Sequence, residues 1–584
     1  MGERGVKPSE ITAVTFTSKA AGELKERIRS QLPGKRSIGQ MQIGTFHSLC
    51  YRMLKETGLS LELADDAQKE AAAAQTIEAL DLPCSVKQFL TELSLEKSGI
   101  HILSEEASSY YNGLLKAQGL MDFDDLLLYT IKLLEEEKRT EYRKQHFSYL
   151  LVDEFQDISP MQYRLIQAWN KGMKEIFVIG DPDQSIYGFR GSDSQCFDRL
   201  LEDYPQTAVI RLLSNYRSSP QILGAALPLI SCNPGGERRL SPVLPDRGPV
   251  RLVTAESGLS EAIFIAKEIN RMVGGMDMLD AHNRDFRPDE RTYSFSEIAI
   301  LYRTNHQARL LEQCLQKEDI PYTVAGREEY LDDMAVRGIL TFFHGLILRS
   351  QQAEDTPQGS PSPALPDERS APSAYAKQLP TALAPVRPDA LLCQARQLLL
   401  KAGSSITASM TDELAAAFLP CLKKERPWKM LEEIASASGF SSHKPVEQLI
   451  CMSYFHKTMA DMLYTLSFGS EGDLQRKGRP SYSSDAVRLM TFHASKGLEF
   501  PAVFLYGLKQ GILPLSSSKG SVDTEEERRL FYVAMTRAKE ELILSCSEEP
   551  SPFMADIPES SYIREQAKGS GPKIKQLSLF DMGL

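Results

Sequence analysis

The stretch "LLVDEFQDISP", residues 150–160, is an apolar run that ends in two adjacent acids, with a third at Asp157. So short a run bounded by polar residues predicts a buried strand that delivers Asp153 and Glu154 to a sheet edge. Carboxylates held there suit Mg²⁺ binding and activation of a water. A site of this kind ordinarily faces a glycine-rich loop that grips the phosphates of a nucleotide.

Outward from that strand, the chain alternates strand and helix. "ITAVTF" (11–16) reads as a β-branched strand feeding the helical "SKAAGELKERIRSQL", and residues 53–121 are helix-like. "FSYLLVDE", "EIFVIGD" and "TAVIRLL" (207–213) read as short buried strands with helical patterns between them. A second series follows: "PVRLVTA", "EIAILYR", "AVRLMTF", "AVFLYGL" and "LILSC". The alternation predicts an α/β protein with parallel sheets. An insertion over about 336–481 interrupts the second series. Its stretch 351–390 is dense in Pro, Ser and Ala and is expected to be disordered, since it cannot bury enough surface to offset its ordering entropy. The chain after about residue 550 reads as a loop-like tail.

The length of 584 residues exceeds a single core and implies several domains. Composition, 42% hydrophobic and 25% charged, is that of a globular protein. No run of 18 apolar residues spans a membrane, and "MGERGVKPSE" has no signal-peptide pattern. Nine cysteines without a C-x-x-C pair read as reduced thiols, which predicts a cytoplasmic protein. The net charge of −11 argues against a nucleic-acid-binding coat but leaves room for a local basic groove.

In "VIGDPDQSIYGFRG" (178–191) a strand runs into Asp181, Asp183 and Gln184, then into Tyr187, Phe189 and Arg190. Gln184 there can sense a phosphate or orient a water. Aromatics beside basic groups suit single-stranded nucleic acid; the plainer reading is a polar turn with buried rings. "SNYRSSPQIL" sets Tyr216 and Arg217 after a strand, and "FYVAMTRAKEELIL" sets Arg537 near a helix. An arginine aimed at a γ-phosphate stabilises phosphoryl transfer, although a lone arginine is more often a surface charge.

Together these segments resemble the UvrD/Rep/PcrA-type DNA helicases of superfamily 1. "TFTSKAAGEL", "GTFHSLCYRML", "LMDFDDLL", "LVDEFQD", "GDPDQSIYGFRG", "NYRSSPQIL", "AILYRTNHQARLLEQCL", "VRLMTFHASKGLEFPAVFL" and "EERRLFYVAMTRAKEEL" follow one another in the family's order. The resemblance implies two RecA-like parallel-sheet domains with mainly helical insertions and ATP between the domains. On that pattern 1–52 plus 122–211 form the first domain and 53–121 its insertion. Residues 212–335 plus 482–550 form the second domain, 336–481 its reduced insertion, and 551–584 a flexible tail. Asp153 would hold Mg²⁺ and Glu154 would activate the water. Gln184, Arg217 and Arg537 would meet the γ-phosphate, Tyr216 the adenine, and Glu499 the ribose or triphosphate. Thr15, Phe16, Ser18, His47, Tyr187 and Phe189 would line the DNA track, with His493 and Lys496 linking it to the ATP site. Where many relatives carry Trp, this chain has Phe189. The implied activity is ATP-dependent 3′-to-5′ travel on single-stranded or forked DNA, in repair, recombination or replication restart.

The family's glycine-rich loop, G-x-x-x-x-G-K-[ST], is not found in this sequence; "LPGKRS" (32–37) lacks both the first glycine and the Ser/Thr. The opening "ERGVKPSEI" resembles the end of the helix that follows such a loop. The expectation is therefore an N-terminally truncated member whose own ATPase is weak, a non-catalytic DNA- and clamp-binding remnant, or one half of a split helicase. At the other end, Gln576, Leu577, Leu579 and Phe580 in "QLSLF" resemble the peptide by which bacterial proteins dock on the sliding clamp. The alternative is a segment packed on its own domain.

Overall fold

The structure is a computed structural model. It describes residues 6–31, 40–56, 62–64, 66–100, 103–135, 146–172, 174–235, 238–274, 291–326, 329–354, 388–468, 475–477, 485–516 and 523–567. Two compact units emerge: residues 1–207 with 329–474, and residues 208–328 with 475–584.

In the first unit, β1 (Ile11–Thr15), β2 (Gln42–Thr45), β5 (Tyr149–Val152) and β6 (Glu175–Val178) form a parallel sheet in the order β2-β1-β5-β6 among the described residues. Short strands β3 (Glu62–Leu63) and β4 (Leu120–Met121) pair in the first insertion, beside the helices Asp66–Ala79, Val86–Lys97 and Glu105–Ala117. One face of the four-stranded sheet is covered by helices. Among them, Pro160–Asn170 starts from a Ser159–Gln162 capping box with Pro at its first turn. The spacing of Tyr163, Ile166 and Trp169 buries one stripe of this helix, where Trp169 stacks with Phe46 and Phe147. Each such side chain contributes about 1.5–3 kcal/mol by leaving water.

The opposite face is covered only in part. Helix Ser18–Gln31 packs over Ile11, Ala13 and Ile43. Leu151 and its register partner Phe177 stay 39% and 56% exposed, and Ile179 is 43% exposed. Parallel sheets normally bury both faces, so an apolar strip left uncovered by the described residues at the β6 edge is unusual.

The second unit holds β7 (Ser214–Asn215) paired with β8 (Ser241–Pro242), and an eight-stranded sheet. That sheet comprises β9 (Val250–Ala255), β10 (Ile298–Tyr302), β11 (Tyr322–Ala325), β12 (Gln475–Lys477), β13 (Val487–Thr491), β14 (Phe500–Tyr506), β15 (Ala538–Ser547) and β16 (Tyr562–Gln566). Its order is β12-β11-β13-β10-β14-β15-β9-β16, parallel except for β12 on β11. Central strands such as Ile298–Tyr302 are buried at every position, as doubly covered strands are.

Several expectations are corrected. "TAVIRLL" is not a strand: among the described residues only the Leu213 carbonyl joins a ladder, accepting the Ser241 amide at 2.8 Å, and Val209, Ile210, Leu212 and Leu213 are exposed. β propensity does not make a strand where no neighbouring backbone supplies hydrogen bonds. The stretch after 550 is not a loop-like tail as far as Ala567: β16 pairs in parallel with β9, and Arg251 of β9 forks onto Glu565. The second insertion ends earlier than residue 481, since Gln475–Lys477 already belongs to the sheet. Of the segment expected to be disordered, 351–354 and 388–390 are helical, and the remainder lies outside the described residues. The insertion's helices, from Met334–Glu354 to Met459–Phe468, share a core of Phe342, Phe343, Phe418, Leu431 and Ile434 among others. They group with the first unit rather than with the sheet that they interrupt. No helix among the described residues is long and apolar enough to cross a membrane.

Candidate functional site

The acids come first. β5 ends at Val152, and the Asp153 amide still donates to the Val14 carbonyl at 2.9 Å, so the ladder carries the chain up to the acids. Glu154 then takes a left-handed backbone, φ 52°, which turns the chain sharply off the sheet. A non-glycine residue tolerates that conformation only where its surroundings impose it. Buried Gln156 supplies the constraint. Its Nε2 donates to the Glu154 carboxylate, and its Oε1 accepts the Asp181 amide at 3.0 Å. Asp181 in turn accepts the Gln184 side-chain amide at 2.8 Å. Gly180 is required at this crossing, because a Cβ there would stand 2.2 Å from Gln156 Oε1. Glu154, Gln156, Asp181 and Gln184 thus form one connected polar rim at the strand ends, with Asp153 next to Glu154 in the chain. Carboxylate oxygens from one or two residues are the usual protein share of a Mg²⁺ site, the rest coming from water and phosphate. Asp153 and Glu154 fit that share.

A groove of about 1170 Å³ opens in the same unit. Phe16, His47, Phe123, Tyr187, Phe189 and Arg190 line it, with Arg337 and Glu70 at 3.3 Å from each other. Phe16 stacks on Tyr187 at 5.0 Å between centroids, and the Arg190 guanidinium lies about 5.5 Å from the rings of both Tyr187 and Phe189. Phe189 is 53% exposed, whereas Tyr187 is buried. His47 stacks on Phe123 at 4.0 Å, and its shielded Nε2 has no partner among the described residues. Burial lowers the His47 pKa to about 4, against an opposing pull from Asp122. Burial and then Asp122 raise Asp124 to about 6. Thr15 is buried and donates through Oγ1 to the Thr17 carbonyl at 3.0 Å. Ser18 starts a helix, and its side chain lies outside the described residues.

The second unit carries the cations. Asn215 Oδ1 accepts the amides of Arg217 and Ser218 at 3.0 and 2.9 Å, which fixes the turn that presents Arg217. Arg217 Nε donates to Glu499 at 2.8 Å, and the neighbouring Tyr216 is 73% exposed. Burial works to raise the Glu499 carboxyl pKa, but Lys539 and Arg217 outweigh it and hold the group low. Arg537 follows helix Thr524–Met535, which is capped by Asp523 and has acids in its first turn. Arg537 is 1% exposed as a whole residue, and its guanidinium donates to the carbonyls of Val533 and Leu498 at 2.8 and 3.2 Å. His493 and Lys496 lie in the turn after β13, joined by a 3.2 Å backbone bond. The residues of "QLSLF" lie outside the described residues.

Gln156 and Lys539 were not singled out from sequence. Gln156 stood in plain view inside "DEFQD", but its reach to Asp181 exists only once β5 and β6 are neighbours. Lys539 had no signal beyond being a lysine beside Arg537.

The chain matches the model of the UvrD/REP helicase N-terminal domain over residues 1–103 and 87–205. It matches that of the UvrD-like helicase C-terminal domain over residues 210–354 and 455–549. It is similar to the ATP-dependent DNA helicase Rep of Escherichia coli (strain K12), 30% identical over 643 residues, covering 97% of this chain and 89% of that protein. It is 31% identical to the ATP-dependent DNA helicase PcrA of Bacillus subtilis (strain 168) over 615 residues, covering 97% of this chain and 80% of that protein. With DNA helicase II of Escherichia coli (strain K12) it shares 30% identity over 619 residues, covering 96% and 82%.

Proposed function

Because this chain belongs to the UvrD/Rep/PcrA-type DNA helicases, we propose that it is a motor element coupling ATP to 3′-to-5′ movement along single-stranded DNA, forked DNA included. The work would be repair, recombination or replication restart in the cytoplasm. The observation that carries this reading is the polar rim that runs from Glu154 through Gln156 and Asp181 to Gln184, at the end of the strand that delivers Asp153, in the same unit as a groove lined by Phe16, Tyr187 and Phe189.

In this reading Asp153 holds Mg²⁺, whose chemistry is to neutralise charge on the phosphates. Glu154, fixed by Gln156, polarises the attacking water. Gln184 senses the γ-phosphate from the far end of the same rim. Arg217 presents its Nη groups to phosphate, and Arg537 exchanges its Leu498 contact for a γ-phosphate oxygen. Tyr216 offers a flat exposed face to adenine, and Glu499 approaches the ribose or triphosphate. Thr15, Phe16, Ser18, His47, Tyr187 and Phe189 follow the DNA strand, and His493 with Lys496 couple it to the nucleotide. The "QLSLF" peptide, Gln576 to Phe580, docks on a sliding clamp.

The sequence has no G-x-x-x-x-G-K-[ST] cradle, so turnover by this chain alone is expected to be weak. A second reading is favoured by the exposed strip of Leu151, Phe177 and Ile179 beside the edge of β6, which has no further strand among the described residues: one half of a split helicase, completed by a polypeptide that carries the phosphate loop. A DNA-stimulated ATPase assay on the purified chain separates the two. Robust turnover supports a self-sufficient motor and removes the need for a complement. Turnover restored only by an added loop-bearing polypeptide supports the split enzyme. Failure of both, with single-strand binding intact, supports a non-catalytic remnant. Deletion of residues 576–580 should abolish clamp pull-down; unchanged retention would refute that docking.

A further inference from the structure

Glu499 is held from two sides. Its Oε2 accepts Nε of Arg217 at 2.8 Å, and its Oε1 accepts Nζ of Lys539 at 2.6 Å. The backbone makes this arrangement one piece. The Ser219 amide donates to the Lys539 carbonyl at 2.9 Å, and Ser218 Oγ donates to the Ala538 carbonyl at 2.7 Å. The turn carrying Arg217 is therefore riveted to the first residues of β15.

A carboxylate beside an arginine commonly takes the guanidinium as a two-pronged fork. Here Arg217 gives only Nε, because Lys539 occupies the other carboxylate oxygen. Among the described residues the two Nη groups of Arg217 have no hydrogen-bond partner. Two cations against one carboxylate also leave the trio with a net charge of about +1, which favours an anionic ligand.

We propose that Lys539 is a positioning residue for nucleotide binding: by engaging Glu499 Oε1 it prevents Glu499 from closing on both prongs of Arg217, and so leaves the Nη groups available to a triphosphate. The proposal rests on the reading of Arg217 as a phosphate-facing residue. Removing the ammonium would let Glu499 rotate onto the Arg217 fork and bring the pair to neutrality.

The test is titration of the full chain with a fluorescent ATP analogue and Mg²⁺, comparing wild type with Lys539→Met, Lys539→Arg, Arg217→Ala and Glu499→Gln, and with Glu499→Gln combined with Lys539→Met. Lys539→Met should weaken binding roughly three- to tenfold, the range for one half-exposed ion pair and the contact it guards. Lys539→Arg should bind as wild type does, since a guanidinium can also take Oε1. In the Glu499→Gln background, Lys539→Met should cost almost nothing, because a neutral amide no longer competes for Arg217. An equal cost in both backgrounds would mean that Lys539 touches the nucleotide directly, and would overturn the proposal. So would a Lys539→Met chain that binds like wild type while Arg217→Ala is impaired, or a Lys539→Arg chain as weak as Lys539→Met. If Arg217→Ala also binds like wild type, the phosphate-facing reading of Arg217 itself falls.

Discussion

The ring of Phe16 lies on the ring of Tyr187, with planes 18° from parallel, while Phe189, two residues further on, leaves half its surface to solvent. The first pair is stacked within the protein; the third ring is the one that offers an exposed face to a base. Phe189→Ala should therefore weaken binding of a short single-stranded oligonucleotide by about 1–3 kcal/mol without changing the melting temperature. Tyr187→Ala should lower both affinity and melting temperature, because it also empties a buried stack. Fluorescence anisotropy and a thermal melt on the same preparations distinguish them. Equal affinity for wild type and Phe189→Ala would remove Phe189 from the DNA track.

Beneath the groove, the Lys97 side chain is 2% exposed and bridges Asp125 at 2.9 Å and Asp122 at 3.4 Å, with the Tyr111 hydroxyl also donating to Asp122. Burial works to lower the Lys97 pKa, but the aspartates outweigh it and raise it. Taking away one partner of a buried pair leaves uncompensated charge, a loss of roughly 3–5 kcal/mol. Lys97→Met should destabilise the first insertion by that order, seen as faster amide exchange over residues 86–125. Lys97→Met with Asp125→Asn should recover part of the loss. A single variant that exchanges like wild type would show the pair to be energetically idle.

The strand that delivers Asp153 and Glu154 was legible because a short apolar run ending in adjacent carboxylates is a local pattern; of the groove, only Tyr187, Phe189 and Arg190 lie close enough in sequence to be read together, whereas Phe16, His47 and Phe123 arrive from other elements. What escaped reading depends on neighbours distant in sequence. "TAVIRLL" has strand composition, but among the described residues only Leu213, at its end, reaches a ladder. "YIREQ" (562–566) has a polar look but pairs with β9, where Arg251 absorbs Glu565. For Arg537 the sequence points to a phosphate, and the carbonyls of Val533 and Leu498 that its side chain also meets come into view only in the packed chain. Composition signals what a residue can do; only the packed chain shows which of its options is occupied.

His47 makes the first unit acid-sensitive. Its pKa, near 6.5 in an unfolded chain, is lowered to about 4, chiefly by burial. The unfolded state therefore binds the extra proton first. Stability from this group is complete above pH 6.5 and is lost as pH falls from 6.5 towards 4, by at most roughly 3 kcal/mol. Asp124, raised to about 6, works the other way: its folded state takes the proton first and gains stability as pH falls below 6. The difference between wild type and His47→Gln melting curves isolates the histidine. The variant should gain relative stability steadily from pH 6.5 to 4.5, and a pH-independent difference would contradict the shift.

The strip formed by Leu151, Phe177 and Ile179 is an exposed apolar surface of the first unit, and among the described residues it adjoins the unpaired edge of β6. Exposed apolar strips beside an unpaired strand promote association. Phe177 is already 56% exposed, so its replacement by lysine should change stability by no more than about 0.5 kcal/mol. The same change places a charge where another sheet edge or apolar surface would have to settle. Phe177→Lys should therefore lower the self-association of the purified chain, read as a smaller concentration dependence in sedimentation velocity and in light scattering. Phe197→Lys, by contrast, would disturb a ring packed edge-on against Phe155 and should destabilise the unit instead. If Phe177→Lys melts several degrees lower with no change in association, the strip is covered in solution and the face is not bare. If association falls and a loop-bearing polypeptide no longer stimulates ATP turnover, the same strip is the surface on which that polypeptide sits.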